Sequence, residues 1–291
     1  MSETTPTVTL LGTGTMGAGM ARNLAAAGLP TRVWNRSPER AAPLAEAGCT
    51  VVADLAEAVR GTDVLVTMLF DAEATEQCLA DAGDALVPGT LWIQTATVGV
   101  AATDRFVDLA ERLGLVLVDA PVLGTRGPAE AGTLVVLAGG PDDARAACAP
   151  VLDAIGSRTM WVGPAGAGSR LKLAANAWVL AVVQGISESL ALTRDLGLDP
   201  ALFLEAVRGG ALDAPYVGLK GSSTLAGDFT PAFTLAGAAK DADLILQAAG
   251  SVGLDLAGAR AVAAELDRGV AAGRGDLDMS ALYLGLAPAA D

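Results

Sequence analysis

The 291-residue chain contains no histidine. That absence excludes Ser-His-Asp triads, imidazole acid–base chemistry and zinc sites of the usual His/Cys type. A proton donor must therefore be a lysine, a tyrosine, a cysteine or a carboxylic acid. Aromatic residues make up 4% of the chain and only two are tyrosines, Tyr216 and Tyr283. The three cysteines, Cys49, Cys78 and Cys148, are far apart and odd in number. They suit reduced thiols in the cytoplasm, acting as small core residues, better than a disulfide framework. Positive charge is scarce, with 19 Lys and Arg against 33 Asp and Glu and a net charge of −14. Without a basic stripe for phosphates, no nucleic-acid partner is expected, and the acidic balance serves solubility. The N-terminal MSETTPTV has neither the basic nor the apolar region of a signal peptide. The longest apolar run near a helix, Leu173 to Val183, is broken by Asn176 and reads as too short to span a bilayer. A soluble, cytoplasmic protein without a membrane partner is the expectation.

What the chain does have is apolar bulk, 52% hydrophobic residues, and a length suited to about two domains. From residue 7 to about 164, the runs TVTLL, TRVW, DVLVTML, TLWIQ, LVLVDAPV, LVVLAG and TMWVG alternate with helical segments. That rhythm predicts βαβ units around a largely parallel sheet, and the nearly unbroken apolar strands fit a sheet covered on both faces. Beyond GPAGAGS (163–169) the rhythm stops, and Arg170 to Arg194 reads as one long helix of about 25 residues. After it, helical stretches are separated by LGLDP, GGALDAP, GDFTP and SVGLDLAG, which read as stop and start signals. The expected domains are thus 1–164, α/β, and 165–291, all-α. The apolar stripes of the second imply a core and at least a homodimer formed through the C-terminal helices.

The stretch LLGTGTMGAGMARNL places Gly12, Gly14 and Gly17 at GxGxxG spacing, with Thr15 and Met16 between the last two. Glycine is abundant, so the spacing alone says little. Its position does more: the loop follows a strand and opens a helix, where a pyrophosphate approaches backbone N–H groups. At the end of the second strand, where an NAD-binding chain usually places Asp or Glu, stands Asn35-Arg36-Ser37. Arg36 offers charge-assisted hydrogen bonds to a 2′-phosphate, with Asn35 and Ser37 adding neutral ones, so NADP is the expected cofactor. Alternatively, Ser37 caps a helix starting at Pro38 and Arg36 is solvated.

These motifs, with three further ones, resemble the β-hydroxyacid dehydrogenase family over nearly the whole chain. DAPVLGTRGPAEAGTL (119–134) is similar to that family's substrate segment, GAGSRLKLAANAW (166–178) to its catalytic helix, and FTLAGAAKDADL (233–244) to its late cofactor contact. NRS and GPAEAG look more like the glyoxylate/succinic semialdehyde reductase branch. The resemblance implies a Rossmann domain joined through a long helix to an all-α domain, with the active site in the cleft between them. It further implies that Lys172 is catalytic, with Asn176 as its helper. Thr97, Lys240 and the backbone of Met68 and Leu69 would contact the cofactor. Leu123, Gly124 and Thr125 fall in the segment that binds a small-molecule substrate, with Gly124 and Thr125 where the family binds its carboxylate.

Lys172 and Asn176 are four residues apart and share one face of an otherwise apolar helix. A lysine there either snorkels to water or is placed for use. Hydride transfer to a carbonyl builds negative charge on oxygen, which an ammonium stabilises and then protonates. Lys240-Asp241 also reads as an ordinary exposed pair, and Lys220 as a solvated charge in preference to a group that meets an anionic substrate from the second domain. Leu123 stands where the family usually has serine, which turns a hydroxyl into an isobutyl group and questions a small hydroxyacid as substrate. The expected function is an NADP-dependent oxidoreductase acting on a carbonyl compound. Imine reduction on the same scaffold is a second reading, which Lys172 opposes, and a cofactor-binding pseudoenzyme a third.

Overall fold

The structure, a computed structural model, describes residues 5–286. The chain divides into two compact units, Met1–Lys172 and Leu173–Asp291. The division falls inside a long helix rather than at 164/165, because the first turns of that helix pack on the sheet.

In the first unit the strands are β1 (Val8–Leu11), β2 (Thr31–Trp34), β3 (Thr50–Val51), β4 (Val64–Thr67), β5 (Leu91–Gln94), β6 (Val116–Asp119), β7 (Val122–Leu123), β8 (Leu134–Gly139) and β9 (Gly156–Gly163). Its helices are α1 (Gly17–Ala26), α2 (Pro38–Ala41), α3 (Leu55–Val59), α4 (Ala72–Ala82), α5 (Val100–Leu113), α6 (Arg126–Glu130) and α7 (Arg145–Ile155). The sheet runs β3-β2-β1-β4-β5-β6-β8-β7, with β9 beside β8. Its first six strands have the doubly wound dinucleotide-binding order, all parallel. Alternation sends Leu10, Val33, Val66, Ile93 and Val118 to one face, under α1 and α7. Leu11, Leu65, Trp92 and Leu117 go to the other, where the Trp92 and Phe106 ring centroids lie 5.3 Å apart.

Two details differ from the sequence reading. LVLVDAPV is two strands, because Ala120 and Pro121 interrupt it and β7 turns antiparallel to β8. The short β3 carries too few residues for a periodic signal.

The long helix, α8, spans Ala167–Asp195, 29 residues. By length and composition alone it could cross a membrane, so the apolar run read as too short is part of a longer helix. Core helices of soluble proteins meet the same criterion. From Leu173 onward it belongs to the second unit, followed by α9 (Ala201–Val207), α10 (Pro215–Leu225), α11 (Leu235–Ser251) and α12 (Ala257–Gly269). Leu180, Val183, Ile186 and Leu190 of α8 are buried there, as are Leu235 and Ile245 of α11 and Leu266 of α12. Cys49, Cys78 and Cys148 are free and buried. Burial raises their thiols, Cys78 to about 11 and Cys148 to about 12, so neither is a ready nucleophile.

Candidate active site

Parallel register lines up the carboxyl ends of the central strands: Trp34 pairs with Leu11, Leu11 with Thr67, Thr67 with Gln94, and Gln94 with Asp119. The residues just beyond that row are the ones the sequence nominated: Asn35-Arg36-Ser37, the glycine loop, Met68-Leu69 and Thr97. Ligands of open α/β sheets bind at this edge.

The glycine loop is built by close backbone approach. Gly12 has φ +100°, and a Cβ there would overlap the Met68 carbonyl. A Cβ on Gly17 would overlap the Gly12 carbonyl. Gly14 differs, since a Cβ there would meet nothing within 4 Å. Its open side is the cradle a pyrophosphate needs. α1 starts with no side-chain cap and no acidic residue in its first turn, which leaves its N-terminus for an anion. Beside it the Thr13 hydroxyl is buried with no hydrogen-bond partner among the described residues. These features fit a dinucleotide.

Asn35 braces this loop. Its Oδ1 accepts from the Thr13 N–H at 3.0 Å and its Nδ2 donates to the Ser37 carbonyl at 3.0 Å. The side chain read as a ligand contact thus also holds the two loops together. Ser37 stands at the N-cap of α2, with Pro38 in the first turn, but its hydroxyl makes no capping bond. Arg36 is exposed and makes no ion pair among the described residues. Met68 is held by its N–H to the Leu11 carbonyl at 2.9 Å. Leu69 packs over Gly12.

The substrate segment continues from β7. Leu123 is half-buried and pairs with Val135. Gly124 has φ +126°, and its neighbours Leu134 and Pro128 leave no room for a side chain. Thr125 precedes α6 without capping it. Sequence reasoning missed how this segment is tied to α1. A Cβ on Gly19 would stand 2.7 Å from the Ala129 backbone, and Asn23 Nδ2 donates to the Ala129 carbonyl at 2.7 Å.

Asp119, which ends β6, is fully buried. Its Oδ2 accepts from the Ser169 N–H and its Oδ1 from the Ser169 hydroxyl, both at 2.7 Å. Burial pushes the carboxyl up to about 6, although hydrogen bonds from Ser169 and Gly166 and the charge of Arg170 pull it down. Sequence alone took Asp119 only as the first residue of a motif.

Lys172 and Asn176 stand four residues apart on α8 and are 8% and 3% exposed. Within the second unit, Asn176 Nδ2 donates to Asp241 Oδ2 at 2.6 Å, and Lys240 Nζ lies 2.9 Å from Asp241 Oδ1. The exposed-pair reading of Lys240-Asp241 fails, because the Asp241 side chain is only 4% exposed. Thr234 caps the helix that carries them, accepting from the Gly237 N–H at 3.1 Å. Lys220 is likewise not solvated. It sits 2.7 Å from Asp278, with side-chain exposures of 6% and 3%. Burial works against the Asp278 carboxylate, but Lys220 and the Ser280 N–H and hydroxyl hold it below the usual range. Tyr283 accepts a hydrogen bond from Arg194 at 3.2 Å, and the Tyr216 ring lies under Lys220 with its hydroxyl buried and without a hydrogen-bond partner among the described residues.

A glycine cradle at the carboxyl edge of a doubly wound parallel sheet is the arrangement of a nicotinamide-dependent oxidoreductase. Residues 7–163 match the family model described as the NAD-binding domain of 6-phosphogluconate dehydrogenase. Residues 166–286 match that of NADP-dependent 3-hydroxyisobutyrate dehydrogenase. A probable 3-hydroxyisobutyrate dehydrogenase of Mycobacterium tuberculosis is 34% identical over 98% of this chain and 99% of its own. Glyoxylate/succinic semialdehyde reductase 2 of Arabidopsis thaliana is 32% identical over 85% of this chain and 70% of its own. The solved structure of 3-hydroxyisobutyrate dehydrogenase from Mycobacterium tuberculosis with L-serine superposes with a TM-score of 0.88, at 30% identity, over 98% of this chain and 100% of that one. The chain belongs to the β-hydroxyacid dehydrogenase family.

Proposed function

We propose that this protein is an NADP-dependent reductase of a small aldehyde or keto acid, with Lys172 as the general acid. The observation that carries the reading is a buried lysine four residues before a buried asparagine, on the helix that follows a dinucleotide-binding sheet. When bound, the dinucleotide supplies hydride to the carbonyl carbon. The chain holds it through the glycine loop, Met68, Leu69 and Thr97. Lys172 stabilises the negative charge on the carbonyl oxygen and gives that oxygen a proton, and water returns the proton to the amine. Asn176, fixed by Asp241, hydrogen-bonds the ammonium or the substrate without competing as a base.

The choice of NADP rests on Arg36, an exposed guanidinium at the end of β2 where no carboxylate stands to repel a 2′-phosphate. Homodimerisation through the helical unit is part of the same proposal, supported by Trp178 on α8, which is 70% exposed. Light scattering at micromolar concentration tests it, and a monomer overturns it. The function is tested by screening the purified protein with NADPH and NADH against aldehydes, keto acids and cyclic imines. Turnover of carbonyl compounds with a preference for NADPH is expected. A preference for NADH overturns the cofactor assignment, and turnover of imines alone overturns the substrate class.

A further inference from the structure

Asp119, which the proposed chemistry does not use, is a carboxylate buried to 0% exposure in the first unit. A carboxylate so buried must be satisfied by strong donors. Among the described residues its donors come from the start of α8 and the residue just before it: the Ser169 N–H and hydroxyl at 2.7 Å each, with the Gly166 backbone adding a third. The Ser169 hydroxyl is in turn 3.1 Å from the Thr103 hydroxyl on α5, which lies 2.8 Å from the Gly99 carbonyl. Thr103 shares its one proton between these two acceptors, while Ser169 gives its own to Asp119. Glycine completes the fit, since a Cβ on Gly168 would overlap the Leu137 carbonyl and stand 2.8 Å from the Asp119 carbonyl. A second tie, Arg170 to Asp104 at 3.0 Å, joins α8 to α5 on the exposed side.

The first turn of α8 is therefore held at a set azimuth on the end of β6. Lys172 follows Ser169 by three residues, one turn along the same face. A general acid works only within hydrogen-bond reach of the atom it protonates, so the roll of this helix about its axis decides where the ammonium lies.

We infer that Asp119 and Ser169 are positioning residues for Lys172, with Thr103 fixing the Ser169 hydroxyl. The inference rests on the reading of Lys172 as general acid. Neither residue touches substrate or cofactor in this account. Both act through the lysine.

The test uses the full-length protein and four variants, Ser169→Ala, Asp119→Asn, Lys172→Ala and the double variant Ser169→Ala/Lys172→Ala. NADPH oxidation is followed with butanal or succinic semialdehyde, whichever wild type turns over faster. Ser169→Ala removes one hydroxyl, leaves the backbone cap in place, and serves if Asp119→Asn does not fold. The expected result is a kcat roughly ten- to a hundredfold lower in Ser169→Ala, the range for a misplaced reacting group, with KM and NADPH affinity within about threefold of wild type. Ser169→Ala should lose no further rate in the Lys172→Ala background, because a residue acting through the lysine has nothing left to position. An unchanged kcat in Ser169→Ala, or an equal loss with and without Lys172, overturns the inference while leaving Lys172 as the acid. Undiminished turnover in Lys172→Ala overturns the underlying reading itself.

Discussion

The two units hold their functional groups by different physical means. In the first, the residues of the nucleotide edge stand at the ends of parallel strands, where main-chain hydrogen bonds line up Gly12 and Met68 and side chains add ties at Asn35 and at the start of α8. In the second, buried side chains place one another: Asn176 on Asp241, Lys240 on Asp241, Lys220 on Asp278. A ladder of main-chain bonds survives most side-chain changes, whereas a buried ion pair fails when either partner is removed. The strand ladder therefore tolerates side-chain changes of a kind that the buried pairs of the helical unit do not.

The sharpest way to test that contrast is Lys172→Ala, the last residue of the first unit. Turnover should fall about 10²–10⁴-fold, the contribution of a positioned acid, with the thermal midpoint and NADPH affinity close to wild type. Rates measured where hydride transfer is limiting decide it. In the second unit, Asp278→Ala should instead cost about 3–5 kcal/mol of stability by stranding a buried ammonium, and urea unfolding reads it directly.

Asp119 tests the frame from inside. Its carboxyl is raised from 3.8 to about 6 by burial, so between those pH values the folded state binds more protons than the unfolded one. Its contribution to stability is full at low pH and is lost as pH rises through 6, a fall of roughly 2–3 kcal/mol at 1.36 kcal/mol per pKa unit. The difference in unfolding free energy between wild type and Asp119→Asn should shrink by about that much from pH 4 to pH 7. A difference that stays flat with pH would mean that the group does not titrate there.

Arg36→Ala should weaken NADPH binding by about 1.5–3 kcal/mol and leave NADH nearly unaffected. Because Asn35 holds the loop, the glycine cradle should survive the change. Equal losses for both cofactors would place Arg36 in the scaffold. The smallest effect is expected from Leu123→Ser, a gain of about tenfold in kcat/KM for a carboxylate substrate over a matched uncharged aldehyde, if one hydrogen bond worth about 1.4 kcal/mol is regained. Equal changes on both substrates would remove Leu123 from that preference.

The same contrast decides how much of the molecule is legible in its sequence. The glycine loop, the strands and α8 were legible because strand-turn-helix order and apolar runs are local patterns. Arg36 was nominated by its distance along the chain from the loop, again a local rule. Lys220 was misread because its partner Asp278 is 58 residues away, and no periodicity reports that a charge has found a distant counter-ion. Asp241 adjoins Lys240 in sequence, yet its bond to Asn176 spans 65 residues. Asp119 and Ser169 are 50 residues apart, and the two-residue β3 was too short to signal itself.

The contact at Gly19 bears on how such a protein can change over evolutionary time. Because α1 lies directly against the Ala129 backbone, with Asn23 stitched to the same carbonyl, main chain rather than side chains sets the spacing between the nucleotide loop and α6. On the proposed reading of Leu123 and Thr125 as substrate contacts, that spacing does not depend on the side chains at positions 123 and 125. On that reading, a directed library confined to those two positions should change substrate choice while leaving cofactor affinity as it was.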